Sequence, residues 1–320
     1  MIKRYSSRYK EKLKGYLIKT HPRFSEKYVD YIVDNAESSI DDNNSFLVLN
    51  DEDNIVGTHM LYNTRAVING NVINTAWGHD TYLNENLRHS FGLDFVVTIN
   101  SEGHFGIGLS EVNRKLHRKM RSTSWDNLYN YCFPTACLPL AIIFRAQCVR
   151  VKKLIKIKQG TFSLCTEPNS VRILNDGYWN RDICDIDFVR DELFLKKRFF
   201  TNKVHHYYLY QLDGENCYFV VRYVKFKHIP TLFVVDYRYD NNYKEQFQMI
   251  IKAVSLLANK SKLGLVLLMS SDKHTDSLLS KKRLLLKRST DFIASRCLGL
   301  NNKMTTFVTA ADSDADFIRG

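Results

Sequence analysis

The sequence predicts a mixed α/β (α+β) protein built in two halves, each a mixed, mostly antiparallel sheet flanked by helices. Three observations carry this. The 320 residues are room for two domains of about 150 residues each. Hydrophobic residues make up 44% and charged residues 25%, ordinary globular values that allow a core in each half. Both halves also repeat one order of periodicities: helix, a meander of strands, then helix, strand, helix, strand.

In the first half, residues 7–19 and 25–37 read as helices broken at His21-Pro22, with Tyr28, Val29, Ile32 and Val33 at helical spacing. Residues 46–49, 55–68 and 72–83 read as strands. Asn69-Gly70 between the last two is the dipeptide of a tight hairpin, whose central residues need positive φ. Residues 84–92 are polar and irregular, and Leu93, Val96 and Val97 indicate a short helix ending by Gly103. Residues 105–109 form a short apolar strand. The next helix is capped by Ser110 and carries an apolar face of Val112, Leu116 and Met120. Trp125 and residues 129–133 supply the closing strands.

A domain boundary is expected near residue 145, giving domains 1–145 and 146–320. In the second, residues 187–200 read as helix, while 207–212, 217–226, 231–237, 265–269 and 305–309 read as strands. Residues 243–258 give the clearest amphipathic helix, with Phe247, Ile250, Ile251, Val254 and Leu257 on one face.

The net charge of +12 favours anionic partners, a phosphorylated cofactor among them. Lys and Arg runs are dispersed and no recognition motif accompanies them, so nucleic acid is not expected as a partner. The N-terminus lacks the apolar stretch of a signal peptide. The apolar run 138–144 contains Pro139 and falls short of the roughly 20 residues of a spanning helix. A cytoplasmic protein without membrane insertion is expected. Seven Cys, an odd number with no CxxC, suit buried thiols in a reducing compartment, and no metal site is expected.

Two motifs add chemistry. Trp77-Gly78-His79-Asp80-Thr81-Tyr82-Leu83, running on to Arg88-His89-Ser90-Phe91-Gly92-Leu93, resembles the GNAT acetyltransferase strand and loop, whose usual form is Asp-Thr-Tyr-Val followed by Arg-Gly-x-Gly-x-Gly. Phe105-Gly106-Ile107-Gly108-Leu109-Ser110, followed by Asn113, Leu116 and Met120, resembles the strand and helix that end that family's core. Residues 309–316 resemble an ending of tandem GNAT-like proteins from polysaccharide gene clusters.

The resemblance implies two GNAT-like domains. The N-terminal one would carry an acyl-CoA site, and the C-terminal one would be structural or acceptor-binding. It implies acetyl-CoA or another acyl-CoA as cosubstrate and a small amine, an amino sugar for surface polysaccharide among the candidates, as acceptor. Residues 76–83 and 105–109 would be the two strands that part to hold the pantetheine arm. Tyr82, Leu83, Gly106, Gly108, Ser110 and Asn113 would lie along it, and Arg88, Ser90 and Gly92 would hold the pyrophosphate at a helix N-terminus. Asp80 would act as general base. Aligned on Asn113, Met120 stands where the family has its proton-donating Tyr, which leaves His117, three residues earlier on the same helix face, to protonate the leaving thiolate. Aligned on Arg88, the three loop glycines are replaced by His89, Phe91 and Leu93.

Other readings stay open. Asp80 is equally a turn-stabilising carboxylate, and His117 lies in a basic run suited to a solvated helix face. His79 and Asp80 are expected on opposite strand faces. The second half has no Gly between residues 231 and 263 and hence no phosphate cradle; Arg198, Tyr208 and Arg222 are its candidates for acceptor contact. Beside the N-acyltransferase stand a catalytically inactive GNAT-fold binding or scaffold protein and a FemABX-like aminoacyl transferase.

Overall fold

The structure is a computed structural model describing residues 1–22, 24–37, 45–108, 111–144, 147–172, 184–240, 243–279, 282 and 284–313. It forms two compact units. Unit 1 comprises Met1–Arg65, Ile73–Trp125 and Asp291–Lys303; unit 2 comprises Ala66–Val72, Asp126–Thr290 and Met304–Gly320. In chain order the elements are β1 (Ile2–Arg4), α1 (Lys10–Thr20), α2 (Glu26–Glu37), β2 (Phe46–Leu49), β3 (Ile55–Ile68), β4 (Asn71–Leu83), α3 (Arg88–Asn100), β5 (His104–Ile107), α4 (Glu111–Lys119), β6 (Thr123–Pro134), α5 (Leu138–Phe144), β7 (Leu154–Ile157), β8 (Gly160–Cys165), β9 (Ile186–Phe188), α6 (Glu192–Leu195), β10 (Tyr208–Leu212), β11 (Tyr218–Phe226), β12 (Ile229–Arg238), α7 (Tyr243–Lys260), β13 (Leu265–Ser270), α8 (Lys273–Leu279) and β14 (Leu286–Ala294). The fold is thus mixed α/β, with mostly antiparallel strands flanked by helices.

Unit 1 orders its strands β1-β2-β3-β4-β5-β14. The turn between β3 and β4 has Asn69 at φ +49° and Gly70 at φ +81°, the paired left-handed conformations that this dipeptide tolerates. The helical spacing of α2 places Val29, Ile32, Val33 and Ala36 in the core. β4 and β5 are parallel, while β14 pairs antiparallel with the other side of β5. A strand over residues 286–294 was not expected from the basic segment there. Its unit 1 end is nonetheless apolar, and Phe292 stacks on Trp125 at 4.7 Å. Residues 88–92, expected to be irregular, form the first turn of α3, and the two closing strands are one, β6.

Unit 2 orders its strands β6-β13-β12-β11-β10-β8-β7, with residues 66–68 of β3 paired to β9. Helix α7 buries Phe247, Ile250, Ile251, Val254, Leu257 and Ala258, the face its periodicity predicts. Of the helix expected over 187–200, residues 186–188 are strand and only 192–200 are helical, the last five as a π-helical turn. The strand expected at 305–309 is absent: Thr306 and Thr309 make isolated bridges, and Ala310–Asp312 is a 3-10 turn.

That C-terminal segment does structural work. β12 and β13 pair in parallel only from Thr231↔Leu265 to Val234↔Leu268. Past that point Thr309 bridges Ser270 of β13 and donates its hydroxyl to Asp236 of β12 at 2.7 Å, while Ser271 N–H donates to Val308 O at 3.0 Å. The residues around it form a buried ionic network. Arg190 donates to both Asp236 oxygens and to Asp312, Arg238 donates to Asp236 at 2.9 Å and Asp187 at 3.0 Å, and Tyr218 donates to Asp236 at 2.7 Å. Burial pushes the Asp236 carboxyl up, but the Arg190 and Arg238 guanidiniums outweigh it and hold the pKa down at about 2. Arg198, a candidate for acceptor contact, is buried and spent on Ala311 O at 3.0 Å and Ser313 O at 2.9 Å. Arg222 is buried as well, its guanidinium over the Phe233 ring. The thiols do not all follow the expected burial: Cys132 and Cys217 are buried, but Cys148 and Cys297 are exposed.

Replacing Arg190 with Met leaves Asp312 without its guanidinium and halves the compensation of Asp236. Breaking a buried ion pair from one side costs about 3–5 kcal/mol, so the denaturation midpoint of Arg190→Met falls well below wild type. An unchanged midpoint would contradict the network's role.

Candidate active site in unit 1

β4 and β5 pair at only three positions, Ala76↔His104, Trp77↔Phe105 and Gly78↔Gly106. β4 then runs on through residues 79–83 without a β5 partner. β5 ends at Ile107, and Gly108, at φ +70°, turns its N–H to Asp291 O in the direction of β14 at 3.2 Å. Where pairing stops, Asp80 adopts a left-handed conformation with φ +47°, and Thr58 donates its hydroxyl to Asp80 O at 3.0 Å. Such backbone is unusual for a residue with a Cβ and marks a bulge held by its surroundings.

A cleft of about 460 Å³, counted to open solvent, lies at this point. Its walls are His59 of β3, Gly78 and Thr81 of β4, Val96, Ile99 and Asn100 of α3, His104 and Gly106 of β5, Leu116 and His117 of α4, and Ile293 of β14. None of these carries a permanent charge. Gly78 is required by close approach: a Cβ there would stand 2.9 Å from His59 Cε1 and 3.2 Å from His104 Cδ2.

Hydrogen bonds fix the histidine tautomers. Asn100 donates Nδ2–H to Val96 O at 2.9 Å, which turns its Oδ1 toward Ser122. Ser122 donates its hydroxyl to that oxygen at 3.0 Å, so its Oγ accepts from His117 Nδ1–H at 3.3 Å. His117 Nε2 therefore carries the lone pair. His104 likewise places Nδ1–H on Glu102 O at 3.1 Å. His59 Nδ1 lies 2.7 Å from Thr81 Oγ1, and its Nε2 is buried without a partner. Burial pushes the pKa of His104 and His117 down to about 4 and that of His59 well below its ordinary value, with neighbouring imidazoles adding to the shift of His59 and His117. All three are neutral at pH 7. The near-neutral pKa expected of His117 is thus displaced by desolvation, and the imidazole enters as a proton acceptor.

Of the residues singled out from sequence, the structure brings Gly106 and His117 to the cleft. Asp80 is not among its walls: the carboxylate is buried against His79 Nδ1 at 2.5 Å. The left-handed backbone at Asp80 breaks strand alternation, so the two side chains expected on opposite faces meet. Tyr82 packs its ring under the Arg88 guanidinium at 5.6 Å, and Arg88 Nε donates to Leu83 O at 3.0 Å. The Leu83 side chain belongs to the Phe46, Val48, Phe95 and Ile99 core, against which Phe91 also packs; neither Leu83 nor Phe91 lines the cleft. Ser90 is exposed in the first turn of α3, and Gly92 stands within that helix with nothing within 4 Å of a Cβ. Ser110 lies outside the described residues, as does the side chain of Asn113. Sequence reading missed His59, His104, Thr81, Asn100 and Ser122; they come from four separate elements and one turn, and no local spacing links them. Among the described residues no group of three His, Cys, Asp or Glu is placed to hold a metal ion, and no helix is long and apolar enough to cross a membrane.

No protein-family model and no curated protein matches this chain. Solved structures do. A conserved protein of unknown function from Enterococcus faecalis V583, described as a "Probable N-Acyltransferase", aligns with TM-score 0.61 at 12% identity over 92% of this chain and 72% of its own. The fold is the GNAT fold. A GCN5-related N-acetyltransferase from Kribbella flavida aligns with TM-score 0.59 at 9% identity, over 91% of this chain and 71% of that one. Saccharomyces cerevisiae N-myristoyltransferase with bound myristoyl-CoA gives 0.51 at 9% identity, over 85% and 74%.

The buried neutral histidines make a stability prediction. In the unfolded chain they titrate near pH 6.5; in the fold their pKa values lie lower. Between those values the unfolded state binds more protons, so stability falls as pH drops from 6.5 toward 4, by up to about 1.4 kcal/mol per pH unit for each group. Denaturation midpoints at pH 6.5 and 5.0 should show this slope in wild type and a shallower one in His104→Asn/His117→Asn. Equal slopes would mean the imidazoles are not held neutral.

Proposed function

We propose that unit 1 transfers an acyl group, acetyl in the simplest case, from acyl-CoA to a small amine. The observation that carries this is the β4–β5 ladder stopping after Gly78↔Gly106 beside an uncharged cleft. An amide-rich pantetheine arm fits such a place: it needs main-chain partners and neutral donors and acceptors, and it brings no charge to be desolvated. The orphaned His59 Nε2 and the space kept open by Gly78 meet the same requirement. The first turn of α3 contains no carboxylate of its own, and Arg88, half-exposed and 3.5 Å from Glu85 Oε1, stands there as a cation that a pyrophosphate could engage.

Acyl-CoA supplies the activated thioester. The chain's own residues bind, orient and move protons. The acceptor amine attacks the thioester carbonyl in its neutral form, and His117 Nε2 takes the proton that its nitrogen sheds as the C–N bond forms and the C–S bond breaks, with Ser122 and Asn100 holding the ring in the accepting tautomer. The resulting imidazolium, unstable in its buried setting, returns the proton to the departing sulfur. Main-chain N–H near Tyr82 polarises the thioester carbonyl. Asp80, bound to His79, holds the bulge. The amino-sugar acceptor rests on sequence resemblance alone. A second reading, a GNAT-fold binding protein without turnover, draws support from Met120 in place of a proton-donating Tyr and from α3 keeping one glycine, Gly92, in its first turns.

Isothermal titration with acetyl-CoA tests the proposal. One equivalent should bind, because residues 305–313 already fill the corresponding place in unit 2. His117→Asn should lower turnover by about 10²–10⁴ while acetyl-CoA affinity stays within a few-fold. No heat on titration would overturn the cofactor assignment; binding without turnover of any amine would favour the second reading.

A further inference from the structure

A second pocket adjoins the cleft within unit 1. Its empty space, counted to open solvent, is about 270 Å³, and it is lined by Arg114, His117 and Arg118 of α4, Ser122, Ser124 at the start of β6, and Asp291 of β14. It shares His117 and Ile293 with the cleft, so one imidazole faces both spaces. The two differ in charge. The cleft is neutral, whereas this pocket holds two guanidiniums against one carboxylate. Arg114 pairs with Asp291 at 2.8 Å, yet its Nε–H is buried with no partner. Arg118 is exposed and has no carboxylate partner among the described residues. Ser124 adds a hydroxyl at the wall, while that of Ser122 is committed to Asn100.

We propose that this pocket is the acceptor subsite, and that it takes a small amine carrying an anionic group, a carboxylate or a phosphate. The inference rests on the acyl-transfer reading of the cleft. Two guanidiniums and the Ser124 hydroxyl recognise an oxyanion by charge-assisted hydrogen bonds. With the oxyanion on Arg118 and Arg114, the amine of a short acceptor reaches His117, the side chain common to both pockets. The pocket opens to solvent, so the rest of the acceptor extends outward from the anion. A neutral amine of the same size would leave the guanidinium charge uncompensated.

The test is isothermal titration of the full chain with two matched pairs: O-phosphoethanolamine against ethanolamine, and β-alanine against β-alaninamide. Each is run with and without saturating CoA. The anionic member of at least one pair should bind about tenfold tighter or more, and which pair responds tells phosphate from carboxylate. Arg118→Gln should erase that preference, and Ser124→Ala should weaken it, while affinity for acetyl-CoA is unchanged. Equal affinities within both pairs, no binding of either anion, or a preference that survives Arg118→Gln would overturn the proposal. If acetyl-CoA fails to bind but the preference and its loss in Arg118→Gln remain, the subsite stands and the acyl-transfer reading falls.

Discussion

Two parallel strands that stop pairing leave main-chain polar groups without their ladder partners, and a folded protein must satisfy those groups from somewhere. This chain meets the requirement twice in different ways. In unit 2 the strands β12 and β13 cease to pair after Val234↔Leu268, and residues 305–313 enter: Val308 O takes the Ser271 amide and Thr309 spans from Ser270 to Asp236. In unit 1 the strands β4 and β5 cease to pair after Gly78↔Gly106, and an open cleft remains. The same geometry is a closed structural joint in one unit and a candidate ligand site in the other.

The electrostatics follow that division. The closed joint is built from ions whose desolvation is met by mutual compensation, with Arg190 and Arg238 around Asp236. The open cleft avoids ions. Its three imidazoles are held neutral by burial, and its tautomers are set by carbonyl, serine and asparagine partners rather than by carboxylates. A neutral lining suits an uncharged arm and keeps the lone pair of His117 available, with the charged groups displaced to the neighbouring pocket.

Much of the scaffold was legible in the sequence because it is local. The β2–β4 meander is written in alternation and in Asn69-Gly70, and α7 in its 3.6-residue period. The parting strands were found through the residues around Asp80 and Gly106. What escaped is non-local. His59, His104 and His117 lie on β3, β5 and α4, and only sheet order brings them together. Asp80 read as a base because the resembled motif has an aspartate there, whereas its left-handed backbone turns the carboxylate to His79. Residues 84–92 read as irregular because they are polar; with His89, Phe91 and Leu93 in place of the family's glycines, residues 88–92 lose less backbone freedom on becoming helical and join α3. Residues 309–316 read as a family-like ending, with nothing local to show that Asp312 is buried beside Arg190.

The central claim is that residues 79–83 of β4 await a ligand. Backbone hydrogen exchange at those of these amides that face away from β3, with and without CoA, tests it most directly. The account predicts fast exchange that slows when CoA is added, with the end of β12 around Asp236 slow throughout. Slow exchange at those outward amides before any CoA is added, unaltered by its addition, would contradict it.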